Sequence, residues 1–242
     1  MSPISRPPRA RKAVVLFSGG LDSTTALCWA MARGYSCSAV FFRYGQRHSR
    51  EILGARRIAR ALKVPLYEIK LDFPWLAVSS LVDPRKKIPD TGLSRIGAPG
   101  TVPSTYVPGR NLVFASIGVS LADSIGASAV VMGPNAVDYS GYPDCRPGFY
   151  RALEKAVNEG TRTGASGGRI RLLTPLMKLG KKDIVRLGLR LKAPLSHTWS
   201  CYSGGKRPCG RCDSCKLRAR GFRDAGVDDP AMPAEPNKVK RK

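Results

Sequence analysis

No run of apolar residues in the 242-residue chain approaches the roughly 20 needed for a helix to cross a bilayer, which excludes an α-helical membrane protein. The longest such stretches, 127–132 for example, have the length of a strand. The basic start, with Arg6, Arg9, Arg11 and Lys12, is followed only by the short apolar run 13–17, too little for a secretory signal. A cytoplasmic protein without membrane association is expected. Acidic residues are scarce: 17 Asp and Glu stand against 41 Lys and Arg, giving a net charge of +24. Only part of that excess lies in the basic ends. Such a surface favours anionic ligands, whether nucleotide, pyrophosphate, RNA or an acidic partner, and does not choose among them. A merely solvated basic surface is the plainer alternative. There is no internal repeat.

What is present is ordinary for a folded chain: 43% hydrophobic and 24% charged residues. The length suits one large α/β domain or one domain with a small appendage. Residues 13–17 form a continuous apolar run, as in a buried parallel strand, and a Gly-rich turn follows at once. A helix over 25–33, a strand over 36–42, an amphipathic helix over 50–62 and a strand over 64–71 complete a β-α-β-α-β order. That order implies a parallel sheet with helices on both faces. The irregular, Pro- and Gly-rich stretch 72–107 reads as a binding loop or lid. Helices are expected over 111–126, 149–159, 181–191 and 217–225, strands over 127–133 and 170–173, and a polar and aromatic loop over 138–149. The organisation expected is a disordered start (1–12), a main domain (13–195), a cysteine-bearing segment (196–225) and a flexible tail (226–242).

The turn Ser18-Gly19-Gly20-Leu21-Asp22-Ser23-Thr24 joins a buried strand to a helix. Its glycines allow close backbone approach, and free N–H groups at a helix start hold anions. Ser18, Ser23 and Thr24 add hydroxyl donors. Asp22 is out of place beside an anion unless a cation meets it, and nucleotide-borne Mg²⁺ is the natural candidate. The turn is neither a Walker A loop nor a GxGxxG turn. The alternative is an ordinary turn with Asp22 or Ser23 capping the helix.

Cys201, Cys209, Cys212 and Cys215 fall within fifteen residues. Without a secretion signal, that density reads as a metal site, and four thiolates suit a closed, structural Zn²⁺. An iron–sulfur cluster and unligated core cysteines compete with that reading. His197 nearby reads as a hydrogen-bonded residue and not a ligand. Cys28 and Cys37 read as core; Cys145 lies in a polar loop.

Three further segments carry polar groups where an open parallel sheet binds its ligands. They are Tyr44-Gly45-Gln46-Arg47-His48, Val107-Pro108-Gly109-Arg110-Asn111, and the segment from Asp138 through Tyr142, Asp144 and Cys145 to Arg146. Arg110 can grip a carboxylate or phosphate in bidentate fashion. Tyr142 can stack on a flat heterocycle, and Asp138 or Asp144 can accept from an amino-pyrimidine edge. Each segment alone could be an ordinary loop.

The SGGLDST turn resembles the signature of the PP-loop ATP pyrophosphatases. Together with YGQRH, VPGRN, DYSGYPDCR, TPLM and the final CGRCDSC, it resembles the 7-cyano-7-deazaguanine synthases over about residues 13–225. The resemblance implies an adenine nucleotide α-hydrolase-like, Rossmann-like α/β fold with a small C-terminal zinc segment. It also implies an ATP-dependent ligase that turns 7-carboxy-7-deazaguanine and ammonia into the nitrile through an amide, with ATP, Mg²⁺ and structural Zn²⁺, commonly as a homodimer. ATP would be held by Leu16, Phe17, Ser18, Gly19, Gly20, Leu21, Asp22, Ser23, Thr24, Thr25 and Ala26, with Ser18, Asp22, Ser23 and Lys181 at the chemistry. Zinc would be held by Cys201, Cys209, Cys212 and Cys215. The deazapurine would meet Tyr44, Gln46, Arg110, Asp138, Tyr142, Asp144 and Arg146. Lys181 would neutralise pyrophosphate, unless it is only a solvated lysine at a helix start. The chain departs from the family pattern at Arg43, at Ala136-Val137 and at Lys178, positions expected at the rim of the substrate site.

Two other classes compete: a PP-loop enzyme that modifies tRNA directly, and a zinc-bearing binding module without catalysis. Direct nucleic-acid binding is open to so basic a chain, although no separate RNA-binding domain is visible.

Overall fold

The computed structural model describes residues 11–46, 50–93, 96 and 102–232. The ends 1–10 and 233–242, expected to be irregular, lie outside the described residues.

Five strands form one parallel sheet: β1 (Lys12–Leu16), β2 (Ser36–Arg43), β3 (Leu66–Lys70), β4 (Ala129–Val131) and β5 (Arg171–Leu173), in the order β3-β2-β1-β4-β5. The central strands are buried on both faces, which is why β1 and β4 read as unbroken apolar runs. Alternate residues serve opposite sides. Ala13, Val15, Ala39, Phe41 and Val131 pack in one core with α1 (Leu21–Ala32), α2 (Glu51–Ala61), α7 (Lys181–Arg190) and α8 (Asp213–Ala225). Val14, Val40, Phe42 and Val130 pack in the other, with α3 (Arg110–Ile125) and α5 (Pro147–Glu159).

The chain builds outward from β1 in one direction through β2 and β3, then returns to place β4 on the other side of β1. Loops leaving β1 and β4 therefore part in opposite directions and open a crevice between their carboxyl ends. The phosphate loop, Asp138 and Lys181 border that crevice.

Two expected elements differ in ways that matter. The segment expected as a loop over 138–149 is largely helical: α4 (Asp138–Gly141), a 3₁₀ turn (Pro143–Cys145) and then α5. Asn135 starts it, its Oδ1 accepting from the N–H of Val137 at 2.9 Å. Pro143 and Pro147 stand at the starts of the next two elements, where a missing N–H costs nothing. The last helix begins at Asp213, not 217, so Cys212 caps it and Cys215 lies in its first turn. A short helix α6 (Arg162–Ala165) follows α5. The chain also stays packed beyond 226: Arg218 donates to both carboxylate oxygens of Asp229 at 2.6 and 2.8 Å, and both side chains are buried.

Candidate active site

The phosphate loop is shaped by two glycines and three hydroxyls. Gly19 has φ +74°, and a Cβ there would lie 2.8 Å from the Ala55 nitrogen of α2. Gly20, not Asp22 or Ser23, is the N-cap of α1, and no side chain caps the helix. The helix starts four residues earlier than its composition suggests, which places Asp22, Ser23 and Thr24 in its first turn. Ser23 Oγ accepts from the Ser18 N–H at 3.2 Å and lies 3.1 Å from Ser18 Oγ, closing the loop on itself. Among the described residues, two buried side-chain polar atoms have no hydrogen-bond partner: Asp22 Oδ1 and Thr24 Oγ1. Both belong to this loop, so its unmet hydrogen-bonding capacity points to a ligand.

Lys181, at the first position of α7, donates to Asp22 Oδ2 at 2.5 Å. Both side chains are mostly buried. Lys181 is therefore not a solvated lysine, and it is the cation that meets Asp22 in this structure. Burial pulls the Lys181 ammonium down, but Asp22 and Asp138 outweigh it and hold it above its ordinary value. Asn135, fully buried, donates through one Nδ2 to Asp22 Oδ2 at 3.0 Å and to Asp138 Oδ2 at 2.7 Å. Burial pushes the Asp138 carboxyl up to about 6, with Lys181 opposing and Asp22 adding to the rise.

Ser18, Asp22, Ser23, Asp138 and Lys181 line a cavity of about 300 Å³ at the carboxyl ends of β1 and β4. Its other end is aromatic and cationic. Phe42 and Phe114 stack with centroids 4.0 Å apart, and Tyr44 meets Phe114 edge-on. Arg110 donates to Tyr44 Oη at 3.2 Å, and Tyr142 Oη lies 2.6 Å from Thr105 Oγ1. Burial works against the Arg110 charge, yet Tyr44, Tyr142 and Asp144 hold it charged. A smaller branch runs from Ser18, Asp22 and Lys181 toward Trp199, Tyr202 and Arg218.

Of the residues expected at substrate, Tyr44, Gln46, Arg110, Asp138 and Tyr142 line the cavity. Gln46 spends its amide on its own loop, accepting from the Tyr44 N–H at 2.7 Å and donating to the Phe42 carbonyl at 2.9 Å. Asp144 and Arg146 do not line it. Asp144 is buried and accepts from the Asn111 N–H at 3.0 Å, holding the start of α3; Arg146 is exposed at the start of α5. Arg47 and His48 lie outside the described residues. Arg43, Ala136, Val137 and Lys178, expected at the rim, are absent from the lining. Sequence reasoning missed Asn135, Thr105 and Tyr202. Asn135 carried a usable signal, an Asn between the end of β4 and a helix start. Thr105 sits in a stretch without periodicity. Tyr202 was hidden behind the cysteine pattern.

The four Sγ atoms of Cys201, Cys209, Cys212 and Cys215 all lie within 4.8 Å of one another. Backbone N–H groups of Ser203 and Cys209 point at Cys201 Sγ, and those of Arg211 and Cys212 at Cys209 Sγ, at 3.3–3.4 Å. Such donors favour thiolates. The cluster adjoins the phosphate loop, because the Trp199 N–H donates to the Gly19 carbonyl at 3.0 Å. Cys28 and Cys37, by contrast, are core thiols pushed by burial up to about 11 and about 12. His197 is not among the cysteine cluster's possible ligands.

A family model, the queuosine biosynthesis protein QueC, matches residues 12–226. The chain belongs to the QueC family. Relatives of this QueC chain include the 7-cyano-7-deazaguanine synthase of Thermoplasma acidophilum, 47% identical over 220 residues and 91% of each chain. The enzyme of that name from Gloeothece citriformis is 45% identical over 221 residues, 91% of this chain and 94% of the relative. That from Synechococcus elongatus is 47% identical over 219 residues, 90% and 93%. Among solved structures, a 4-thiouridine synthetase–RNA complex with bound ATP matches at TM-score 0.46 and 21% identity, covering 89% of the QueC chain and 50% of that chain, too distant to carry an argument. No helix among the described residues is long and apolar enough to cross a membrane.

Proposed function

We propose that this chain is an ATP-dependent carbon–nitrogen ligase of the cytoplasm. It converts 7-carboxy-7-deazaguanine and ammonia to 7-cyano-7-deazaguanine, for queuosine, archaeosine or another deazapurine. One observation carries the reading: a single cavity joins a phosphate loop to an aromatic, cationic chamber, in a chain that shares nearly half its residues with synthases of that name.

The division of labour follows from the geometry. A carboxylate is a poor electrophile, and transfer of an adenylyl group to its oxygen makes that oxygen a leaving group. The N-terminal turn of α1 and the Lys181 ammonium face the phosphates and stabilise charge as it develops there. The unpartnered Asp22 Oδ1 is a fitting donor for Mg²⁺, which would supply further neutralisation of phosphate charge. Arg110 receives the acid or its anionic leaving group, and Tyr44 and Tyr142 face the heterocycle. Asp144 and Arg146 act on substrate only through the elements they hold.

The cysteines fit Zn²⁺. Tetrahedral Zn–S bonds of about 2.3 Å put sulfurs about 3.8 Å apart, and Cys209 and Cys215 Sγ are 4.0 Å apart. Four protein ligands leave no open position, so the ion would be structural. A [4Fe–4S] cluster binds each thiolate to a different iron and a [2Fe–2S] cluster binds them as two separated pairs, and either would spread them further. Ammonia comes free or from a partner, and a homodimer is the assembly the family implies. The test is incubation of pure protein with ATP, Mg²⁺, ammonium and the acid, read by mass spectrometry for the nitrile.

A further inference from the structure

Nitrogen enters the proposed reaction as ammonia, carrying three protons, and leaves in a nitrile, carrying none. One proton departs as the C–N bond forms and the adenylyl-bearing oxygen leaves, giving the amide. Two more depart as ATP-driven activation of the amide oxygen lets the second C–O bond break. Something beside the reacting carbon must accept those protons, and the phosphate loop is built to hold phosphate.

The described cavity lining contains no histidine. Its thiol, Cys145, and its phenols Tyr142, Tyr150 and Tyr202 are pushed up by burial and stay protonated, and the Tyr44 hydroxyl accepts from Arg110. Three carboxylates remain. Asp22 is committed through Oδ2 to Lys181 and Asn135, and its Oδ1 is the donor proposed for Mg²⁺. Glu51, the first residue of α2, lines the main cavity and also the smaller branch toward Trp199 and Arg218, whose lining includes neither Arg110 nor Asp138. Asp138 is different. It follows the carboxyl end of β4, borders the chamber shared with Arg110 and Tyr142, and is tied to Asp22 through a single Asn135 amide. That amide cannot turn over freely, because its Oδ1 accepts from the N–H groups of Val137 and Asp138 at 2.9 and 3.4 Å. The tie therefore fixes the Asp138 carboxylate at the junction between the nucleotide end and the heterocycle end, where an activated acid must sit.

We infer that Asp138 is the general base that takes protons from nitrogen in amide formation and in dehydration, with Asn135 as its positioning residue. This deepens the proposed function and rests on it. It replaces the pyrimidine-edge role for Asp138. A carboxyl lifted by burial is also a stronger proton acceptor than a free one, and it remains mostly ionised near neutrality.

Adenylation removes no proton from nitrogen, so the inference separates two partial reactions. The experiment compares wild type with Asp138→Asn in three assays: acid-dependent ATP–pyrophosphate exchange without ammonium, nitrile formation from the acid, and nitrile formation from the supplied amide. Exchange is expected to fall no more than a few-fold, while both nitrile-forming rates fall by about 10²-fold or more. Asp138→Glu, which keeps a carboxylate one methylene out of place, gives the same split in smaller measure and carries the test if the asparagine variant does not fold. Nitrile formation near the wild-type rate overturns the inference. So does a parallel loss of exchange and nitrile formation in a folded variant, which marks Asp138 as a group that holds substrate. Absence of acid-dependent exchange in the wild type defeats the proposed function itself, a distinguishable failure.

Discussion

Lys181 and Asp22 lie 159 residues apart in the sequence and 2.5 Å apart in the fold. The contact joins the first turn of α7 to the first turn of α1, across the crevice that β1 and β4 open. It sets a cation beside the phosphate loop and gives Asp22 a partner inside the protein. Either single truncation strands a mostly buried charge, at a cost of about 3–5 kcal/mol. Lys181→Ala is expected to lose that stability in urea titrations and also to lose acid-dependent exchange. Asp22→Asn with Lys181→Met should recover much of the stability and none of the turnover. A double variant that is active would separate the pair from catalysis.

Gly19 tests the loop's backbone. Alanine there meets both a positive φ and the α2 backbone 2.8 Å away. Gly19→Ala should weaken binding of a non-hydrolysable ATP analogue at least tenfold by calorimetry and lower the melting temperature. Unchanged affinity would show that the loop does not need this close approach.

Much of this was legible in the sequence, for definable reasons. The apolar run of β1, the glycines and the small-residue start of α1 are local signals, and so is the thiolate spacing. The Lys181–Asp22 pair, the Asn135 bridge and the Tyr142–Thr105 contact are products of topology: each joins residues that only the strand order brings together. Asp144 shows the converse. As a carboxylate in a polar, aromatic segment it reads as a ligand contact, yet the backbone N–H of Asn111 at the start of α3 claims it. The helical character of 138–149 escaped because short turns begun by Asn and Pro carry no periodicity.

Metal removal should be felt at the phosphate loop. Ligand binding contributes folding energy at such sites, so Cys212→Ser or chelation is expected to release one zinc per chain and lower the melting temperature. Because the Trp199 N–H holds the Gly19 carbonyl, affinity for the ATP analogue should fall as well. Stability indifferent to chelation would contradict a structural ion.

Arg110→Lys keeps the charge and loses the planar fork. The KM for the acid is expected to rise about tenfold or more while that for ATP stays put. Equal effects on both would move Arg110 from the acid to the nucleotide.

On the proposed function, one crevice makes an inert acid reactive toward ammonia at the expense of ATP. Mass spectrometry of the purified protein with ATP, Mg²⁺, ammonium and 7-carboxy-7-deazaguanine tests it most directly. The nitrile is expected, with the amide as a transient species and no product when ATP is left out. An untouched acid, in a folded and metal-loaded preparation, would contradict it.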